Sequence, residues 1–192
     1  MSLYTIKIQN WDKTISVIPT HKIMETGYKN WRGMQESGGR CIMRSIRLDQ
    51  NTVKFCSPEM ITHYGKIDLI AEYIASRQVL VNAYKDEHSP LDSPLDGPQV
   101  TNLEIFRAYI EAYIRNHPQI HTKKMDFIIR ELAPTSAGLP VELYVFTKTI
   151  KWNEYEHIQA EIIDHLLAAA AFFDLRLFQE PPGSDFARAL RG

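Results

Sequence analysis

Asn30-Trp31-Arg32-Gly33-Met34-Gln35-Glu36-Ser37-Gly38-Gly39-Arg40 is the run that decides how this chain divides. It separates a short strand-like N-terminal piece from a longer piece in which helical and strand patterns alternate. Its glycines permit backbone angles that are closed to other residues, and its charged side chains can dock on neighbouring surfaces. It contains no catalytic or metal-ligand grouping. We therefore predict that residues 32–40 are a structural joint between two domains.

The bulk composition excludes several classes of protein. The 192 residues are 44% hydrophobic and 23% charged, with a formal net charge of -1, as in an ordinary globular protein. This balance gives no support for nucleic-acid binding, which usually shows a basic excess. No apolar run approaches the roughly 18 residues of a membrane span. Met1-Ser2-Leu3 lacks a signal-peptide pattern, and because a strand pattern begins almost at once we expect an expressed fragment, itself soluble in the absence of a membrane segment.

Residues 1–31 are expected to hold two strands of a β-domain. Tyr4, Ile6 and Ile8 alternate with polar residues, and a second alternating run follows over residues 14–18. Asn10–Lys13 reads as the turn between them, and Pro19 should end the pairing. Two strands are marginally stable alone, so this hairpin needs further strands from the same chain or from another copy.

Residues 41–179 are predicted to form the second domain, opened by a strand over residues 40–49. Ser57-Pro58-Glu59 is typical of a helix start, and Gly65 should break that helix. Residues 86–100, which repeat Ser-Pro-Leu-Asp in tandem, should form an exposed loop. Thr101 to Glu104 fits a capping box for a second helix that ends before Pro118. The apolar stripe of this helix is predicted at Phe106, Tyr109, Ile110, Tyr113 and Ile114.

The rest of the second domain completes a recognisable order. Residues 124–132 and 141–149 indicate a strand pair, and residues 152–173 indicate a long helix whose buried face includes Ile158, Ile162 and Leu166. A last strand is expected over 175–179, before a tail at 180–192. The order strand, helices, strand, strand, helix, strand predicts an α+β fold whose second domain is a ferredoxin-like sandwich with an enlarged first helical crossover.

The candidate chemical groups favour a structural protein over an enzyme. Pro118 prevents His117 and His121 from sharing a helix face, and no His-Glu-x-x-His motif is present. Cys41 and Cys56 are too few for a metal site and read as reduced, partly buried thiols. Phosphate-loop and nucleophile-elbow glycine patterns are absent. We expect no cofactor, no metal and no enzymatic activity.

Two alternatives remain for the ferredoxin-like order. Acyl-phosphate hydrolases of this order need an Arg in a phosphate-cradling loop after the first strand, whereas Asp49-Gln50-Asn51-Thr52 stands here. A small-molecule sensor domain is less firmly opposed. Its ligand could be lined by the aromatic residues Tyr109, Tyr113, Trp152 and Tyr155, although their helical spacing favours core packing.

Many separate stretches, in order along nearly the whole chain, are similar to the small-conductance mechanosensitive channel superfamily, in its miniconductance branch. Residues 4–21 resemble the end of that family's Sm-like middle β-domain, and Asn30–Arg40 resembles the branch's interdomain joint. The branch also resembles this chain at Thr101-Asn102-Leu103, Phe106-Arg107-Ala108-Tyr109, Arg115-Asn116-His117-Pro118, Ala133-Pro134-Thr135, Gly138-Leu139-Pro140, Ile158-Gln159-Ala160 and Asp164-His165.

The resemblance implies the vestibule part of a channel opened by membrane tension, which supports oligomer assembly and filters solutes during osmotic shock. The expected state is a homoheptamer on the cytoplasmic side of the bacterial inner membrane, anchored by transmembrane helices that this chain lacks. Residues 178–186 resemble the segment that closes the vestibule. Cys41 and Met43 depart from the basic residues of the branch, and the Ser-Pro-Leu-Asp repeat has no counterpart. A soluble small-molecule sensor is the alternative.

Overall fold

Two compact units make up the computed structural model, Met1–Ser37 and Gly38–Gly192, and the division falls inside the predicted joint. The structure describes residues 4–25, 27, 29–88 and 94–180, except for the side chain of Pro94. The expectations for the first Ser-Pro-Leu-Asp copy and for the tail beyond residue 180 lie outside these residues. Within them the fold is α+β, with antiparallel sheets.

The first unit is the predicted hairpin followed by two short helices. Strand β1 (Thr5–Gln9) pairs antiparallel with β2 (Ile15–Pro19), from Thr5 opposite Pro19 to Gln9 opposite Ile15. The turn is closed at Asn10, whose N–H donates to the Thr14 carbonyl at 2.8 Å. Helix α1 (Thr20–Glu25) begins directly after Pro19, and α2 (Arg32–Ser37) follows. The prediction that the second strand ends at Pro19 is confirmed.

The second unit begins with strand β3 (Arg40–Leu48), followed by helices α3 (Pro58–Tyr64) and α4 (Ala71–His88). The Ser57 hydroxyl caps α3 by accepting from the Met60 N–H at 3.3 Å, and the helix ends at Gly65, as predicted. Helix α4 runs on to His88, three residues into the segment expected to be a loop, and a 3-10 turn spans Pro94–Asp96.

The remaining elements complete one sheet and its helical cover. Helix α5 (Asn102–Arg115) leads to strand β4 (Ile120–His121), which the sequence pattern did not indicate because two residues carry no periodicity. Strand β5 (Ile128–Glu131) is less than half the predicted length, and β6 (Leu139–Thr147) and helix α6 (Trp152–Phe172) follow. The expected last strand over residues 175–179 contributes only a bridge between Leu177 and Leu48, since it meets the sheet at one register position.

Strand β6 is the centre of the sheet. It pairs along its full length with β3, from Arg40 opposite Thr147 to Leu48 opposite Leu139. Its other side pairs with β5 and, at Thr147 and Phe146, with β4. All of these pairings are antiparallel. The order across the sheet is Leu177, β3, β6, and then β5 and β4, which both pair with β6.

The core lies on one face of this sheet. β3 and β6 supply it with Ile42, Ile46, Val141, Leu143 and Val145, all of them buried. These side chains belong to the same buried cluster as residues of α5 and α6, namely Phe106, Ile110, Ile114, Ile158, Ile162 and Leu166. The buried faces predicted for the two helices are therefore confirmed. Burying each large apolar side chain stabilises the fold by about 1.5–3 kcal/mol, not including the loss of conformational entropy on folding.

Candidate functional site

The predicted joint contains a short helix that the sequence pattern did not indicate. Helix α2 starts where the Asn30 side chain accepts the Arg32 N–H at 2.9 Å. Arg32 then forms an ion pair with Glu36 one turn later, Nε to Oε1 at 2.7 Å, although both side chains are mostly exposed. Gly33 lies inside the helix with open space around its Cα. None of the side chains of α2 is fully buried, so packing within its own unit holds it only weakly.

Gly38 is the point at which the helix geometry ends. Its φ of 70° lies in the left-handed region, where a glycine commonly follows the last turn of a helix because it has no Cβ to clash. A Cβ built on Gly38 would meet nothing within 4 Å. Backbone conformation, and not crowding, is therefore what favours glycine at this position.

At Gly39, by contrast, crowding by neighbouring atoms is what favours glycine. It is buried, and a Cβ there would lie 2.6 Å from the Met125 sulfur and 3.0 Å from the Thr147 carbonyl oxygen. The Thr147 hydroxyl lies 3.2 Å from the carbonyl of Arg40 and 2.8 Å from that of Thr149, and it can donate to either. The two adjacent glycines thus do different things: Gly38 allows a turn, and Gly39 allows close packing against β6 and the β4–β5 connection.

Arg40 fixes the beginning of β3 to the N-terminal turn of α6. Its guanidinium carbon lies 4.2 Å from the centre of the Trp152 ring and 4.5 Å from that of Tyr155. Such cation–π contacts each contribute about 0.5–1 kcal/mol at partly exposed sites. The Tyr155 hydroxyl also lies 3.1 Å from the Cys41 carbonyl and 2.9 Å from Gln159 Oε1. Burial raises the pKa of Tyr155, so this hydroxyl remains a donor at neutral pH.

The joint residues therefore differ in how firmly they are packed. Residues 30–37 form or flank the weakly packed helix, with Trp31, Gln35 and Ser37 exposed and Met34 half-buried. Gly39 and Arg40 belong to the packed start of the second unit. Sequence reasoning missed the aromatic partners of Arg40, because more than a hundred residues separate them along the chain. The only available signal was the spacing of Trp152 and Tyr155 by three, which places both on one side of α6.

The four aromatic residues considered as a ligand lining form two separate groups. Trp152 and Tyr155 contact Arg40, as described. Tyr113 stacks on His165 with ring centres 4.1 Å apart, and the Tyr109 hydroxyl lies 2.7 Å from His165 Nε2. A pocket of about 310 Å³ lies beside this second group. The structure therefore does not bring the four rings together around one ligand.

The strand face opposite the core carries Cys41 and Met43. Cys41 and Met43 lie opposite Phe146 and Tyr144 in the register of β3 and β6. Tyr144 and Phe146 pack edge to face, with ring centres 5.6 Å apart. Burial raises the pKa of the Cys41 thiol, so it stays protonated at neutral pH. This part of the face is apolar and aromatic.

The remaining chemical groups are the two cysteines and the side chains that could ligate a metal. Both cysteines are free and half-buried, and burial raises the pKa of Cys56 to about 11. In the part of the chain that the structure describes, no three His, Cys, Asp or Glu side chains group as a metal site would need. None of the helices in the same residues combines the length and hydrophobicity needed to cross a membrane. No protein-family model matches the chain.

Proposed function

We propose that the chain is the cytosolic vestibule part of a tension-gated mechanosensitive channel of the small-conductance superfamily. In this proposal the first unit is the end of an Sm-like β-domain, and the second is a ferredoxin-like domain. The chain supports assembly of a homoheptamer and solute filtering on the cytoplasmic side of the bacterial inner membrane. Transmembrane helices outside this chain would anchor it.

The observation that carries the proposal is the contrast between the two units. The two-stranded hairpin of the first unit exposes large apolar side chains, and two strands are marginally stable by themselves. Among them Trp11 is 84% exposed, and Ile15 and Val17 are more than half exposed. The second unit has a complete core. Neighbouring strands or neighbouring copies would cover the hairpin, as an oligomeric β-domain requires.

The strand order of the second unit supports its place in the proposal. Leu177, β3, β6 and β5 follow one another across the sheet, all antiparallel. A ferredoxin-like sheet has this order when its two helical crossovers lie on one face. Helices α3 and α4, which precede α5 between β3 and β5, would be the enlargement of the first crossover.

The positions of the family-like motifs give further support. Thr101 caps α5 by accepting the Glu104 N–H at 3.1 Å, and Asn116-His117-Pro118 ends the same helix. Gly138 closes a tight turn with Thr135 before β6, with a φ of 89°. Short motifs at caps and turns are what different members of one family would share if they shared this fold, since these positions constrain the backbone.

The channel assignment is tested with the complete gene in bacterial membranes that lack their own mechanosensitive channels. Suction on excised patches should open a current whose threshold is set by tension. Within that experiment, Arg40→Ala should shift the threshold because it frees the start of β3, whereas Arg47→Ala, exposed on the same strand, should not. Absence of tension-activated current under all pressures short of membrane rupture would rule out the channel.

Assembly of the chain is a separate measurement. Size-exclusion chromatography with light scattering should give seven copies of the 22.2 kDa chain, about 155 kDa. Trp11→Ser together with Val17→Ser should lower that mass if the hairpin is the surface between copies. A strictly monomeric chain would contradict its assembly role in isolation.

A small-molecule sensor is the second candidate, and a groove beside the end of α6 favours it. The groove has a volume of about 810 Å³ and is lined by Asp49, Asp174, Arg176 and neighbouring residues. A sensor predicts a saturable thermal shift with one metabolite, lost on Arg176→Ala. Upstream sequence discriminates between the two candidates, because apolar spans of about 20 residues would favour the channel.

A further inference from the structure

His117 is a buried histidine whose tautomer is set by its surroundings. Only 8% of its side chain is exposed. The Gln119 backbone N–H donates to its Nδ1 over 3.2 Å, so Nδ1 must carry a lone pair and the neutral ring carries its proton on Nε2. A ring in this tautomer is a hydrogen-bond donor at Nε2. It is therefore poorly suited to bind a metal through that atom.

The turn that starts at His117 attaches β4 to the rest of the sheet. The carbonyl of His117 accepts the Ile120 N–H at 3.2 Å, and the carbonyl of Gln119 accepts the Lys148 N–H at 2.7 Å. Lys148 Nζ also donates to the Pro118 carbonyl at 2.7 Å. Strand β4 itself pairs with β6 at only two positions. The turn thus supplies a large share of the bonds that hold β4 in place.

Charged and titratable groups reach His117 from each element around it. From α6, Glu161 places Oε1 3.9 Å from Nε2, beyond hydrogen-bond distance, and its side chain is 56% exposed. Lys148 approaches from the segment after β6. From α5, the Tyr113 ring meets the imidazole edge-on at 6.5 Å, and its own partner His165 stacks behind it. The 310 Å³ pocket, lined by His117, Glu161 and Leu69 among others, gives water a path to the ring.

We propose that His117 is a proton-sensitive latch, and that its protonation releases the turn 117–119 and with it β4 from β6. A protonated ring carries a hydrogen on Nδ1, which would point at the Gln119 N–H, donor against donor. One of the two must turn away, and the buried ring must also accept a charge. The inference rests on the geometry of this turn and is independent of the proposed function.

The direction of the pH effect follows from the burial of the ring. Burial lowers the pKa of His117 from its ordinary value near 6.5; Lys148 acts in the same direction and Glu161 opposes them. The unfolded or released chain therefore binds the proton more readily than the latched one. The latch is closed at neutral pH and loses stability as the pH falls below about 6.5.

Hydrogen exchange on the 192-residue chain at pH 7.5 and pH 5.5, corrected for the intrinsic pH dependence of exchange, tests the proposal. Acidification should lower the protection of residues 119–121 and 148 by up to about tenfold, the limit for one group with an ordinary pKa near 6.5, while α6 and β3 keep theirs. His117→Asn retains an acceptor near the position of Nδ1 but does not titrate, so its protection should not change with pH. His121→Asn, on β4 itself, is the matched control and should behave like the native chain.

Three results would overturn the latch: no loss of protection on acidification, an equal loss in His117→Asn, or a loss spread over the whole unit. A second measurement needs no variant. Long-range proton–nitrogen NMR of the native chain should show His117 at pH 7.5 with its proton on Nε2. Finding the proton on Nδ1 would remove the physical basis of the latch, because Gln119 could not then donate to that atom.

Discussion

The Asn102 side chain is small, but we expect its removal to lower the free energy of unfolding of the α/β unit strongly. It is completely buried at the first position of α5. Its Oδ1 accepts the Lys54 N–H at 2.9 Å, and its Nδ2 donates to the carbonyls of Thr52 and Phe173 at 3.0 and 3.1 Å. These three partners belong to the segment after β3 and to the end of α6. One amide therefore joins three parts of the chain that are distant in sequence.

Replacement by alanine would leave these three backbone groups without this partner, the Phe173 carbonyl in a buried position and the Lys54 and Thr52 groups in part-buried ones. Each buried polar group that loses its only partner costs about 1–3 kcal/mol. Relaxation and water admitted to the new cavity offset part of this sum. We therefore expect Asn102→Ala to lower the free energy of unfolding by about 3–5 kcal/mol, which is a large part of the 5–15 kcal/mol typical of a domain.

Urea denaturation followed by circular dichroism measures this loss, because most of the helix lies in the α/β unit. Asn102→Asp separates hydrogen bonding from volume: it keeps the shape but directs a carboxylate oxygen at two carbonyls, so it should be at least as damaging as alanine. Asn116→Ala is the matched control at the exposed end of the same helix, with an expected cost below about 0.5 kcal/mol. An Asn102→Ala variant within 0.5 kcal/mol of that control would refute the reasoning.

Three smaller perturbations test other parts of the structure. Arg40→Ala should cost about 1–2 kcal/mol in urea denaturation by removing two cation–π contacts, and a cost no greater than that of Arg47→Ala would contradict them. Gly138→Ala should destabilise the chain by more than about 1 kcal/mol, because φ is 89° and a Cβ would lie 2.6 Å from a β3 carbonyl oxygen. Gly33→Ala is the control, because a Cβ in that helix would meet no atom within 4 Å, and it should be neutral or slightly stabilising. Equal losses of stability in Gly138→Ala and Gly33→Ala would contradict this explanation. The Cys56 thiol, with its pKa near 11, should react with a disulfide reagent at pH 8 at least about tenfold more slowly than in urea, and equal rates would exclude its burial.

The local elements of the fold were predictable from the sequence because their signals are local. Ser57 and Thr101 are helix caps whose partners lie three residues away, and both were read directly. The apolar faces of α5 and α6 repeat at helical spacing, and this spacing predicts the burial of Ile110 and Ile162 that the structure shows. The order of the longer strands and helices also follows from such patterns, whereas β4 and α2 do not.

The contacts that make the unit specific were not predictable, because their partners are far apart in sequence. Glu104 was expected to complete a capping box, but its Oε1 instead accepts from the Tyr73 hydroxyl at 2.8 Å and from Arg77 Nε at 2.6 Å. Burial, together with this hydrogen bond, raises the pKa of Tyr73 to about 12. The ion pair ties α4 to α5, a connection over about 30 residues that no local pattern contains. The hydrogen bonds of the Asn102 side chain to Thr52, Lys54 and Phe173 likewise join residues that are far apart in sequence.

In the joint, the change of backbone direction was predictable from the sequence, but the contacts of Gly39 and Arg40 were not. Its glycines indicated a change of backbone direction, and Gly38 makes one. What the run alone did not show is that firm attachment begins at the very next residue, with Gly39 against β6 and Arg40 between two rings of α6. In the proposed channel, a displacement transmitted along the chain through α2 would pass from a weakly packed helix, through Gly38, to the fixed start of β3. Arg40 is therefore the residue at which a change in the stability of the α/β unit and a change in tension threshold should coincide.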